Sequence, residues 1–83
     1  MVLIGYSGHA FVVYGIFKAA GKNVMGYCDV AEKTYNPFGL PYVGTENSET
    51  GLDAIKASGY FIAVGDNKLR KKIYEALQKN NLS

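Results

Sequence analysis

The chain has 83 residues, 48% of them hydrophobic and 19% charged, which fits one ordinary globular domain and excludes a disordered tail, a collagen-like fibre or a disulfide scaffold. Nine Lys and Arg against seven Asp and Glu leave a net charge of +2, too little to argue for nucleic acid as a partner. Cys28 is the single cysteine, so an intramolecular disulfide and a multi-cysteine metal site are excluded. With no signal-type segment and no apolar run near ~18 residues, the expected location is the cytoplasm without a membrane span.

In chain order, Val2–Ile4 is a short unbroken apolar run, as expected of a parallel strand covered on both faces. A helix follows at once, with Val12, Val13, Ile16, Phe17 and Ala20 at helical spacing, Lys18 in the last turn and Gly21 as the stop. Residues 24–28 read as a second strand ending at Asp29, with Cys28 as a small buried side chain. Pro37, Gly39, Pro41 and Gly44 frame a short strand near Tyr42 and Val43, and a modest helix over 52–57 follows. Residues 60–64 form a third buried strand, and a last helix opens at 65–67 and buries Leu69, Ile73 and Leu77, with Ala76 beside them. Lys68, Lys71, Lys72 and Lys79 point outward, so the basic run is a solvated face. Alternating strands and helices predict an α/β fold, helices on both faces of a short parallel sheet, with right-handed crossovers.

In such a fold ligands sit beyond the carboxyl ends of the strands, where two glycine turns fall. In the first, Gly5 and Gly8 allow close backbone approach, Ser7 offers a hydroxyl, and the free N–H groups opening the helix favour an anion. The second, Gly65-Asp66-Asn67, repeats the device with a capping residue, so the two turns can face one ligand. As a dinucleotide fingerprint the first turn is incomplete, because Ser7 stands at the middle glycine of G-x-G-x-x-G/A. Asp29, at the end of the second strand, is placed to accept hydrogen bonds from a ribose or a base N–H, or else to serve as a strand-end turn residue.

Competing motifs fail on spacing: His9 stands where a nucleophile elbow needs glycine, and the Gly-Lys at 21–22 follows five residues after Gly15 instead of four and lies within a helix pattern. His9 is the single histidine, so a multi-histidine metal site is excluded and no metal is expected. It either donates to a phosphate or sugar oxygen or decorates the first turn. No catalytic residue is identified, and Tyr27 and Tyr60 read as core.

Gly5-Tyr6-Ser7-Gly8-His9-Ala10, Gly26-Tyr27-Cys28-Asp29, the Gly39-Leu40-Pro41-Tyr42-Val43-Gly44 stretch and Phe61-Ile62-Ala63-Val64-Gly65-Asp66-Asn67, with a downstream arginine, resemble the N-terminal domain of bacterial sugar acyltransferases. The relatives are the bacillosamine-pathway N-acetyltransferases and the sialic acid O-acetyltransferase-like proteins. The resemblance covers nearly the whole chain. It implies a small Rossmann-like three-layer domain over residues 1–83 that holds a nucleotide-linked sugar, typically UDP-linked. A following left-handed β-helix, absent from this chain, would bind acetyl-CoA, supply the catalytic histidine and form a homotrimer. By the same resemblance Gly5, Ser7, Gly8 and His9 match the phosphate and sugar turn, Asp29 the nucleoside-contacting acid, and Gly65, Asp66 and Asn67 the second turn. Many relatives carry a second acid after the first, where this chain has Val30.

The leading expectation is therefore the acceptor-binding domain of an acetyl-CoA-dependent sugar acyltransferase, inactive alone and binding no cofactor itself. The alternative is a non-catalytic module for a nucleotide, a CoA-type ligand or a protein partner. NAD and FAD rank lower because they need two mononucleotide halves and 83 residues provide about one.

Overall fold

The computed structural model describes residues 1–80. Three strands, β1 (Val2–Ile4), β2 (Gly26–Cys28) and β3 (Tyr60–Ile62), alternate with three helices, α1 (Gly8–Ala19), α2 (Glu49–Ser58) and α3 (Asn67–Lys79). The sheet is parallel in the order β2-β1-β3, with Leu3 opposite Tyr27 on one side and Phe61 on the other. The parallel α/β architecture read from the sequence is the observed one.

β1 lies in the middle and is buried throughout. Because successive strand residues point to opposite faces, Leu3 and Tyr27 pack with Ala10, Val13 and the half-buried Phe17 on the α1 side. Val2, Ile4 and Cys28 pack with Ile55, Ile73 and Leu77 on the α2 and α3 side. The result is three layers, helix, sheet and helices, around two half-cores.

Several local predictions shift. The second strand begins at Gly26 rather than Val24, and the third ends at Ile62 rather than Val64. The third is also less covered than a central strand, with Phe61 40% exposed, because β3 forms one edge of the sheet. On the other edge, the predicted strand near Tyr42 and Val43 is reduced to one parallel bridge between Tyr27 and Tyr42. That segment lies so close to β2 that a Cβ on Gly26 would sit 2.8 Å from the Pro41 carbonyl oxygen. The helix expected over 52–57 starts earlier, at Glu49, because the Ser48 hydroxyl caps it by accepting from Gly51 N–H.

The apolar residues at helical spacing in α1 are its buried face only in part: Val13 is core and Phe17 packs against it. Ala10 and Val13 are buried, whereas Val12 and Ile16 are 64% and 63% exposed. The helix carries apolar residues on more than one side, so its periodicity could not select the buried face. Its end is as expected: Gly21 (φ +77°) donates to Lys18 and Lys22 to Phe17, closing the last turn. In α3, Ile73 and Leu77 are buried and Ala76 is partly covered, but Leu69 is 47% exposed near the helix start.

Candidate functional site

The three strands end together, and the segments leaving them form one surface. Gly5 adopts φ +97°, a left-handed conformation that favours glycine, and a Cβ there would meet a Val64 methyl at 2.8 Å. The turn is tied to both neighbours, with Gly5 N–H donating to Cys28 O at 2.8 Å and Ala63 N–H donating to Ile4 O at 2.8 Å. Both bonds extend the sheet past the strand ends, and the second holds the two glycine turns side by side. A Cβ on Gly65 would lie 3.7 Å from His9 Cβ, so the turns meet in space as the sequence suggested.

The helix starts differ in capping. Asp66 caps α3 by accepting from Lys68 N–H at 2.9 Å and Leu69 N–H at 3.0 Å. Ser7, at the cap of α1, has extended backbone and makes no side-chain cap hydrogen bond. Ser7, Gly8 and His9 are all exposed. The first-turn N–H groups of α1 thus keep their capacity for an external acceptor. Asn67 opens α3 with its amide oxygen accepting from Arg70, and it is exposed, as are Gly65 and Asp66.

Asp29 is bound into the turn itself. One carboxylate oxygen accepts from Tyr6 N–H at 3.0 Å, the other from Val30 N–H at 2.7 Å, and Lys33 Nζ stands 3.6 Å away. Its side chain is 16% exposed, and each oxygen retains a lone pair for a further donor. The two readings of Asp29, turn residue and ligand acceptor, are therefore compatible. Tyr6 is core rather than a stacking platform: it is 1% exposed, stacks on Tyr27 at 4.2 Å and donates to Asn36 at 2.6 Å. Burial pushes its phenol up from the usual range, against the opposing hydrogen bond from Phe38.

Residues from all three strand ends line a cavity of about 80 Å³, with Gly5, Asp29, Val30 and Val64 meeting Leu69 of α3. Glu46 lines it too. Sequence reading passed over that residue, because it lies in the irregular stretch before α2, far from either glycine turn. The two carboxylates are near enough to Cys28 that they add to burial in pushing its thiol up to about 11.

The family model described as the PglD N-terminal domain matches residues 1–77. The chain belongs to this family. It is an N-terminal domain of the bacterial sugar acyltransferase group, as its motifs implied. The chain is also similar to a solved structure, PerB from Caulobacter crescentus in complex with CoA and GDP-perosamine. Identity is 33% and the TM-score 0.74, over 99% of this chain. The match covers 38% of the PerB chain, so the present chain spans a little over a third of that relative's length. Among curated proteins there is no significant sequence match. Among the described residues, no helix is long and apolar enough to cross a membrane.

Proposed function

We propose that this domain binds a nucleotide-linked sugar as the acceptor-binding part of an acetyl-CoA-dependent sugar acyltransferase. The observation that carries the reading is the uncapped start of α1, set directly behind the left-handed Gly5 and against the Gly65 turn. A diphosphate needs several N–H donors and close backbone approach, and this is where the fold offers both. In this reading Gly5, Ser7 and Gly8 cradle the diphosphate, and His9 donates to a phosphate or sugar oxygen. Asp29 accepts from the ribose diol while it holds the turn, and Gly65, Asp66 and Asn67 close the far side.

Family membership and the PerB complex with GDP-perosamine and CoA support a nucleotide-sugar ligand and acetyl-CoA as the co-substrate. The resemblance favours a uridine form and the PerB complex a guanosine form, so both belong in the test. Acyl transfer is assigned to a β-helical domain of the type the resemblance implies, together with its trimer contacts, and none of residues 1–83 is given a catalytic role. A cytoplasmic setting suits the unpaired Cys28.

Titration of the labelled domain with UDP- and GDP-linked sugars, followed by amide chemical shifts, tests the assignment. Saturable shifts at Gly5, Ser7, Gly8 and Asn67 are expected with at least one of them. A flat response to both at millimolar ligand refutes it.

A further inference from the structure

Resting on the nucleotide-sugar reading above, we infer that the cavity between Val30 and Leu69 is the base subsite and that Glu46 makes it select guanine. Two apolar side chains that line it are also exposed to solvent, Val30 at 84% and Leu69 at 47%. Val64 and Ile73 line it further in, and its volume is about 80 Å³. A cleft of this size admits part of a flat ring between the two exposed side chains rather than enclosing a whole ligand. Covering Val30 and Leu69 with a base removes apolar surface from water, the usual driving force for seating an aromatic group.

The polar part of the cavity consists of two carboxylates, which accept hydrogen bonds and donate none when ionised. They differ in what they have left to offer. Asp29 is held by Tyr6 and Val30 N–H groups and sits at the end of β2, beside the Gly5 turn. Glu46 is partly buried in the same cavity, and no hydrogen bond or ion pair with another described residue engages its carboxylate. A partly buried, unengaged carboxylate is matched best by a ligand edge made of donors.

Among nucleobases, guanine alone presents two adjacent donors, N1–H and the N2 amino group, spaced for the two oxygens of one carboxylate. Uracil presents a single N3–H between two carbonyl oxygens, and one of those would face Glu46 acceptor to acceptor. The guanine pairing therefore gains a second hydrogen bond where the uracil pairing meets repulsion.

Calorimetric titration of the 83-residue chain with GDP and with UDP, for the parent and for Glu46→Gln, tests this. The parent should bind GDP about tenfold or more tighter than UDP, the usual scale for one bidentate base contact. In Glu46→Gln one acceptor oxygen becomes an amide donor, which opposes the guanine N2 amino group and suits a uracil carbonyl, so the preference should disappear or reverse. UDP binding equal to or tighter than GDP in the parent overturns the inference and leaves the nucleotide-sugar reading standing, and so does an equal loss of both in Glu46→Gln. Binding of neither nucleotide, with no shifts from either nucleotide sugar, removes both.

Discussion

Replacing Asp29 with alanine measures how far the ligand-facing turn depends on its own acid. The carboxylate holds Tyr6 N–H at 3.0 Å, and Tyr6 itself is 1% exposed, so that donor loses a charge-assisted partner in a place water enters poorly. A hydrogen bond to a charged group contributes about 1.5–3 kcal/mol. The bond from Val30 N–H is at the surface and is replaced by water, and the Lys33 pair, 3.6 Å apart with Lys33 38% exposed, adds at most about 1 kcal/mol. The expected total is about 2–4 kcal/mol, a large part of the roughly 4–12 kcal/mol that holds a domain of this length together. Urea unfolding followed by far-ultraviolet circular dichroism reads it directly, with a fall in Tm of about 10 °C or more as a second signature. Lys33→Ala, measured beside it, should lie within about 0.5 kcal/mol of the parent if the ion pair is minor. If Asp29→Ala also lies within about 0.5 kcal/mol, the turn does not rest on Asp29 and its hydrogen bonds contribute nothing net.

Two further outcomes are expected. Cys28 keeps its proton up to about pH 11 in the folded chain, first through burial and then through Glu46 and Asp29, whereas the unfolded thiol ionises near 9. The raised folded value means this contribution is complete below about pH 9 and is lost as pH rises towards 11, at up to about 1.4 kcal/mol per pH unit. Unfolding curves across that range should therefore decline less steeply in Cys28→Ala than in the parent, and identical slopes would contradict the assignment. Leu77→Ala, at a fully buried position, should cost about 2–5 kcal/mol in urea unfolding, while Leu69→Ala should cost under about 1 kcal/mol. Similar costs would mean that Leu69 belongs to the core after all.

The sequence alone determined the parallel α/β class, because three short apolar runs alternate with helical patterns and the chain carries too little charge or cysteine for other classes. It also located the two glycine turns, since a strand that ends in glycine and runs straight into a helix has few geometries open to it. Gly5 at φ +97° is a consequence of that local chemistry, whereas the approach of Gly65 to His9 depends on the pairing of β1 with β3. Tertiary structure decided which apolar residues are core. Val12, Ile16 and Leu69 have the same hydrophobicity and near the same spacing as the buried residues beside them, and burial depends on which face meets the sheet. Likewise, local sequence could not tell that Asp29 holds the Tyr6 N–H, or that Glu46 reaches the same cavity. Both relations join segments far apart in the chain, and such distances are fixed only when β1 and β2 pair and the stretch before α2 folds over their ends.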